Sequence, residues 1–393
     1  MQYNFDKVIN RRGTDSMKFD GAAARGKPED ILPLWVADMD FPAPEAVLQA
    51  VHERVTHGIF GYSEPDGAYF CALEKWFTGR LGYEFSSDWV TLTPGVVYAI
   101  AVAIRALTKH SDAILIQEPV YYPFREMVVR NGRQLVVNEL QLGKEIYNID
   151  FADFEEKIRV NNVKLFILCS PHNPVSRCWT GDELREMVRI CTKHDVIILS
   201  DEIHCDFIFG ENKHYVLPAL CPDANIILCT APSKTFNLAG LQLANVFISD
   251  PKLKKTYTRE ALRSGFSQAG SLAIVACRAA YEYGANWLDA LNKYLYANMI
   301  YMDEFLKTNL HAVRLIPPQA TYLAWLDCRA LGLSPDELDR KLTHEAKLWL
   351  NRGDTFGLGG AGFTRINAGC PRETLTACME RFLRIFLRLL TNS

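Results

Sequence analysis

Two side chains in this 393-residue chain combine a reactive type with a telling position. Lys234, in Ser233-Lys234-Thr235-Phe236-Asn237, follows the β-branched run IILCT (226–230) and the turn residues Ala231 and Pro232. Asp201, in Ser200-Asp201-Glu202-Ile203-His204, closes the run VIILSDE (196–202). In open α/β sheets ligands bind beyond the carboxyl ends of the strands, so both groups are expected at one level of one cleft. Spacing alone is also satisfied by a solvated loop lysine; Asp201 is what changes the reading. An amine held in a partly desolvated cleft is neutral enough to attack an aldehyde, and a carboxylate beside a ring nitrogen keeps that nitrogen protonated. Pyridoxal 5'-phosphate needs such a pair. Gly95-Val96-Val97 supplies a third part, because it opens a helix straight after WVTLTP (89–94) and offers free backbone N–H groups to a phosphate. Helix capping alone would also account for that glycine.

The elements that must position these groups are written in the alternation of short apolar runs with helical patterns. Strands are expected at 89–93, 113–118, 165–170, 196–202, 226–230 and 243–249. Helices are expected from Gly95, near 124, and from Thr180 to His194. This is the pattern of an α/β fold, a mostly parallel sheet covered on both faces by helices. Beyond it come helices at 251–263, 268–283 and 287–309, a strand at 321–328, and helices at 335–345 and 372–390. The change of texture predicts three parts: an N-terminal segment (1–50) contributing to a small α+β domain, a large domain (51–284), and a C-terminal small domain (285–393). The last helix interleaves Phe382, Leu383, Ile385 and Phe386 with Arg381 and Arg384, and reads as core-facing with a solvated Arg edge.

Charge and composition exclude several classes. With 43 Lys+Arg against 46 Asp+Glu, the balance argues against nucleic acid as the main partner. The run Val96–Ile104 falls well short of the roughly 20 apolar residues of a membrane span. Asp6, Lys7, Arg11 and Arg12 stand where a signal peptide needs apolar residues, and the 11 cysteines form no C-x-x-C pair, so a reducing, cytoplasmic setting is expected. Three motifs are decoys. Gly21 to Lys27 imitates a P-loop, but Pro28 replaces the Ser or Thr that holds magnesium. Gly357 to Gly362 matches the dinucleotide fingerprint, yet it leads into the strand-like FTRIN and is expected to be a flexible loop. Asp201, Glu202, His204 and Asp206 offer one histidine without a second His-rich segment, so no metal is expected.

Along nearly its whole length the chain resembles the fold type I pyridoxal-phosphate enzymes of the class I/II aminotransferase superfamily. Within them it is similar to the cystalysin-like branch of cystathionine β-lyases and other carbon–sulfur lyases (MalY/PatB type). The resemblance is carried by Asn10-Arg-Arg-Gly13, Pro33-Leu-Trp35-Val-Ala-Asp38-Met-Asp40, Phe60-Gly-Tyr62, Glu118-Pro-Val-Tyr121, Ser170-Pro-His-Asn173-Pro, Ser200-Asp201-Glu-Ile-His204, Ser233-Lys234-Thr-Phe-Asn and Phe363-Thr-Arg365-Ile-Asn367. It implies that Lys234 is the Schiff-base lysine, that Asp201 partners the ring nitrogen, that Asn173 donates to the phenolic oxygen and that Tyr121 stacks on the ring. It further implies that Val96 and Val97 cradle the phosphate with Ser233 assisting, and that His204 belongs to the cofactor shell. Tyr62 is implied to reach the phosphate from the neighbouring subunit of a homodimer with shared active sites. Arg365 is implied to grip the substrate carboxylate, with Trp35, Tyr62 and Tyr121 as an aromatic wall.

One position departs from many aminotransferases of this fold. Eight residues after the lysine they carry an arginine on the phosphate, and here Gln242 stands there. The expected activity is β-elimination from cystathionine or a related cysteine conjugate, giving a thiol, pyruvate and ammonia. An aminotransferase shares the early steps, and a regulator acting through a surface-bound partner protein is the alternative of another class.

Overall fold

The computed structural model describes residues 3–391. A seven-stranded sheet is its largest layer. In chain order its strands are β1 (Val90–Thr93), β2 (Ala113–Glu118), β3 (Gln134–Glu139), β4 (Leu165–Cys169), β5 (Ile197–Asp201), β6 (Ile226–Thr230) and β7 (Ala244–Phe247). Their spatial order is β1-β7-β6-β5-β4-β2-β3. Strands β2, β4, β5 and β6 are buried at nearly every residue, which explains their unbroken apolar sequence: helices cover both faces. On one face lies the helix Val96–Leu107; on the other lie Phe151–Asn161 and Gly181–Lys193. The Gly181–Lys193 helix starts where the sequence places it, because Thr180 and Glu183 form a reciprocal capping box.

The sheet is parallel except at β7, which runs antiparallel to both β1 and β6. The reason is the length of the connection. Between Thr230 and Ala244 stand only the short helix Pro232–Thr235 and a 3₁₀ turn, Ala239–Leu241, and no crossover helix of the kind a parallel return requires. The edge strand β3, and the helices Glu45–His57, Gly67–Trp76 and Phe151–Asn161, carry weaker apolar periodicity and were not expected from sequence.

A four-stranded antiparallel sheet is built from Arg314–Leu315, Leu323–Asp327, Phe363–Asn367 and Asn351–Arg352, in that spatial order. Beside it Leu32–Pro33 pairs in parallel with Leu348–Trp349, so the N-terminal segment joins the C-terminal elements. Phe382 and Phe386 of the final helix are fully buried, which makes it a core helix. Arg388, Leu389 and Leu390, part of the same sequence pattern, lie outside the described side chains. Among the described residues no helix is long and apolar enough to cross a membrane.

The N-terminal segment is fastened by charge. Lys18 is 0% exposed and its ammonium lies 2.9 Å from the Asp40 carboxylate, while Arg11 bonds both Asp38 and Asp40 at 2.7 Å. Removing one partner of a buried pair strands the other charge without solvent. Asp40→Ala is therefore expected to destabilise the protein by about 3–5 kcal/mol, and Lys18→Met by clearly less because Asp40 keeps its bond to Arg11, read as shifts of the urea unfolding midpoint.

Candidate active site

At the carboxyl ends of the central strands lies a cavity of about 440 Å³, within the roughly 300–1,000 Å³ usual for small-molecule sites. Its lining brings together residues remote in sequence: Lys234 and Ser233, Asp201 and His204, Asn173, Tyr121, and Val96 with Val97. The turn after β6 carries Lys234 into it, and its Nζ donates to the Ala37 carbonyl at 2.8 Å. Burial pushes the Lys234 amine down to about 8; Arg365 pushes the same way, while Asp38 and Asp201 oppose it. Asp201 stands at the end of β5 and accepts from the Ile203 amide at 3.1 Å. Burial pushes its carboxyl up to about 7, Ile203 and Lys234 pull it back, and Glu202 adds to the rise. A buried carboxylate in this condition gains most from a cationic N–H partner.

The remaining wall consists of donors. The helix Val96–Leu107 has no side-chain cap, and its N-cap Gly95 sits at φ 149°, with open space where a Cβ would project. Amides of the first turn are thus free for an anion, reinforced by the positive end of the helix. The Asn173 Oδ1 accepts from Arg365, which leaves the amide nitrogen for an oxygen in the cavity. His204 is buried against Tyr322 and Phe207, its Nδ1 has no partner, and desolvation with the nearby Lys234 and Arg365 keeps it well below the usual imidazole range. It is a neutral ring awaiting a hydrogen bond. Burial also raises the Tyr121 phenol, so that side chain presents a neutral aromatic face. Gln242 lies at the rim in place of a charge. An aldehyde-bearing pyridine phosphate fits this set: amine, acid, amide donor, aromatic face and uncapped helix all border the same space.

Arg365 does not line the cavity itself; it stands directly behind Asn173, on the strand Phe363–Asn367, and is only 3% exposed. Its Nη1 donates to Asn173 Oδ1 at 3.0 Å, and its Nη2 donates to Trp35 O at 2.9 Å and to Asn351 Oδ1 at 2.7 Å. The guanidinium also lies over the Phe356 ring, 4.9 Å from its centroid. Among the described residues no carboxylate pairs with it, and desolvation lowers it to about 10.

One aromatic residue sits differently from the wall implied by the resemblance, and a second faces outward as a residue serving a neighbouring subunit would. Trp35 contributes its carbonyl to Arg365, while its indole stacks on Trp349 at 4.4 Å instead of lining the cavity. Tyr62 is 97% exposed and does not reach the cavity of its own chain. The Gly-rich segment before Arg365 is a pinned turn, not a flexible loop: Leu358 N donates to Glu118 Oε2 at 2.8 Å, and a Cβ on Gly357 would collide with that carboxylate. The four residues weighed as a metal cluster also diverge. Glu202 turns to His214 at 2.7 Å, and Asp206 accepts from Thr235 at 2.7 Å and Trp76 at 3.2 Å. Sequence reasoning missed Ala37, Asn351 and Tyr322. Only a backbone carbonyl and strand register bring the first two in, so no motif signals them.

A doubly wound sheet with this cleft and this lysine–aspartate pair defines a class, and the comparisons agree. The profile of the family Aminotransferase class I and II matches residues 29–382, and the chain belongs to that family. It is 42% identical over 380 residues to cystathionine beta-lyase PatB of Bacillus subtilis, covering 96% of this chain and 98% of that protein. It is 34% identical to Protein MalY of Escherichia coli, covering 95% and 96% of the two chains. Among solved structures, cystalysin of Treponema denticola, which contains a pyridoxal 5'-phosphate cofactor, superposes with a TM-score of 0.96 at 32% identity, covering 99% of this chain and 100% of that one.

The electrostatics of the cavity predict opposite effects from two substitutions. In cofactor-free protein, labelling of Lys234 by an amine-selective reagent is expected to rise with a midpoint near pH 8. Arg365→Met removes a cation that disfavours the ammonium and should move the midpoint up; Asp201→Asn removes an anion that favours it and should move the midpoint down. Peptide mapping of the labelled lysine across pH measures both.

Proposed function

We propose that this chain is a pyridoxal-phosphate-dependent carbon–sulfur lyase that cleaves the Cβ–S bond of cystathionine or a related cysteine conjugate. The observation that carries this reading is a lowered lysine and a raised aspartate lining one cavity, with a buried arginine directly behind its Asn173 wall, in a chain 42% identical to a cystathionine beta-lyase. When bound, the cofactor supplies an aldehyde that condenses with amino groups and a ring that withdraws electrons from the substrate Cα.

The chain's own residues do the rest. With the cofactor bound, Val96, Val97 and Ser233 would hold the phosphate, and Asn173 and His204 would hold the phenolic oxygen. Asp201 keeps a proton at the ring nitrogen. Tyr121 covers the ring. Arg365 orients the substrate carboxylate; its planar fork suits two oxygens in a way a lysine does not. Lys234 would be the base that takes the substrate's Cα proton, and an amine lowered to about 8 is a fraction neutral at physiological pH. Loss of that proton expels a thiolate from Cβ readily, because a thiol near pKa 8.5 leaves far better than an alkoxide. With one water consumed, cystathionine yields homocysteine, pyruvate and ammonia.

The assembly we propose is a homodimer in which Tyr62 serves the neighbouring subunit's phosphate. Its 97% exposure, with Ile59 and Phe60 exposed beside it, supports that role. A cytoplasmic location is supported by eleven cysteines that are all free. The three-part division at residues 50 and 284 is likewise proposed, supported by the two separate sheets and by the pairing of Leu32–Pro33 with Leu348–Trp349.

Reaction type is decided by a substrate panel. L-Cystathionine should give thiol, pyruvate and ammonia over many turnovers without any 2-oxo acid, L-alanine should give almost none, and Lys234→Ala should abolish turnover. A strict requirement for a 2-oxo acid, with sulfur retained in the product, would establish an aminotransferase instead. Arg365→Ala is expected to lower kcat/KM by roughly 30- to 1,000-fold while the absorbance of the bound cofactor stays nearly unchanged.

A further inference from the structure

Arg365 has five N–H donors, and their disposition is uneven. Both hydrogens of Nη2 are committed, to Trp35 O and Asn351 Oδ1, and one of Nη1 is committed to Asn173 Oδ1. The Nε is buried, with no partner among the described residues. All three acceptors are neutral amide oxygens, and the guanidinium is closed off behind Asn173. A carboxylate that binds Arg365 with two oxygens does so side-on, through Nε and Nη2, or end-on, through Nη1 and Nη2; either way it needs a hydrogen of Nη2, which has none left to give. One acceptor has to leave.

The three acceptors are not equally free to do so. Trp35 O is main chain, and the segment around it is held by Asn367 N on Leu34 O at 2.9 Å and by Asn367 Nδ2 on Val36 O and Asp38 O. Asn173 bonds Nη1, not Nη2, and its own carbonyl accepts from Tyr121 N at 3.0 Å. Asn351 is different. It lies on a two-residue strand at the edge of the four-stranded sheet, directly opposite Arg365 in register, and is only half-buried. Its backbone is held by Thr364 Oγ1 on Asn351 O, but its side chain makes no other hydrogen bond among the described residues. A rotation of that amide frees Nη2 without moving any main chain.

Resting on the reading of Arg365 as the carboxylate site, we propose that Asn351 is a positioning residue whose side-chain amide holds Arg365 Nη2 and yields it to the α-carboxylate. The amide holds the guanidinium in place, and it is weak enough as a neutral acceptor to be exchanged for an anion, since charge-assisted bonds are roughly twice as strong. Asn351 therefore sets the affinity for the carboxylate from outside the cavity.

The test uses holoenzyme and the amine-free probe 3-(methylthio)propionate, titrated calorimetrically, beside steady-state kinetics with L-cystathionine. Asn351→Asp places a permanent anion on Arg365; probe affinity should fall and KM should rise by about tenfold or more, with kcat within about threefold of wild type. Asn351→Ala removes the competitor, so the probe should bind about 3- to 10-fold more tightly and KM should fall. Weaker or unchanged binding in Asn351→Ala, or undiminished binding in Asn351→Asp, overturns the proposal while leaving the lyase reading intact. Arg365→Ala is titrated alongside: probe binding that does not depend on Arg365 overturns the carboxylate site and this inference with it, whatever the reaction type.

Discussion

The structure is organised around a positive charge that has been taken out of water with no anion to pair it among the described residues. Stranding an ion in a low-dielectric interior is costly, and proteins ordinarily meet the cost with a carboxylate. Arg365 has instead a ring face beneath it and three neutral oxygens around it, drawn from three distant segments at residues 35, 173 and 351. Each of those oxygens must be delivered accurately, so the large sheet, the small sheet and the N-terminal segment all meet at this side chain. A free anion completes the arrangement, and an amino acid brings one.

The N-terminal segment is the fastening. Asn237, three residues beyond the lysine, donates to Met39 O and Phe41 O and accepts from Met39 N, all at 2.9 Å; Asn367, two residues beyond the arginine, clasps Val36 and Asp38; and Tyr322 donates to Ala37 at 2.9 Å. The lysine itself donates to Ala37. Residues 36–41 are thus tied to the lysine turn on one side and the arginine strand on the other, and the buried Lys18–Asp40 pair fixes their far end. Displacing the segment would disturb the amine and the guanidinium together.

Within that frame burial acts in opposite senses on the two reactive groups. It lowers the lysine toward neutrality and raises the aspartate toward protonation, which are the directions in which desolvation must drive a base and an acid. A cationic ring nitrogen at Asp201 reverses the second effect, because an opposite charge at contact restores the carboxylate. The site is therefore electrostatically incomplete alone and complete with the cofactor. None of this distinguishes elimination from transamination, which share fold, lysine and aspartate. The leaving group on the substrate makes that difference.

The amino-acid sequence alone determined the strands that need no partner to be recognised. Runs such as AILIQE and IILCT are apolar on both faces because both are covered, and the structure begins and ends those strands at the same residues. Lys234 and Asp201 were legible because one follows such a strand and the other ends one, and strand ends define where ligands bind. What tertiary structure decided were features with no periodic signature. The reversal at β7 came from a connection too short for a crossover, and the edge strand β3 and the helix Glu45–His57 are stabilised by packing that weak patterning does not announce. Trp35, which the resemblance implies as part of an aromatic wall, stacks instead on Trp349. Asn351 was invisible, because it matters only through its register opposite Arg365, and register across an antiparallel pair is a property of two strands that the order of residues in either one does not contain.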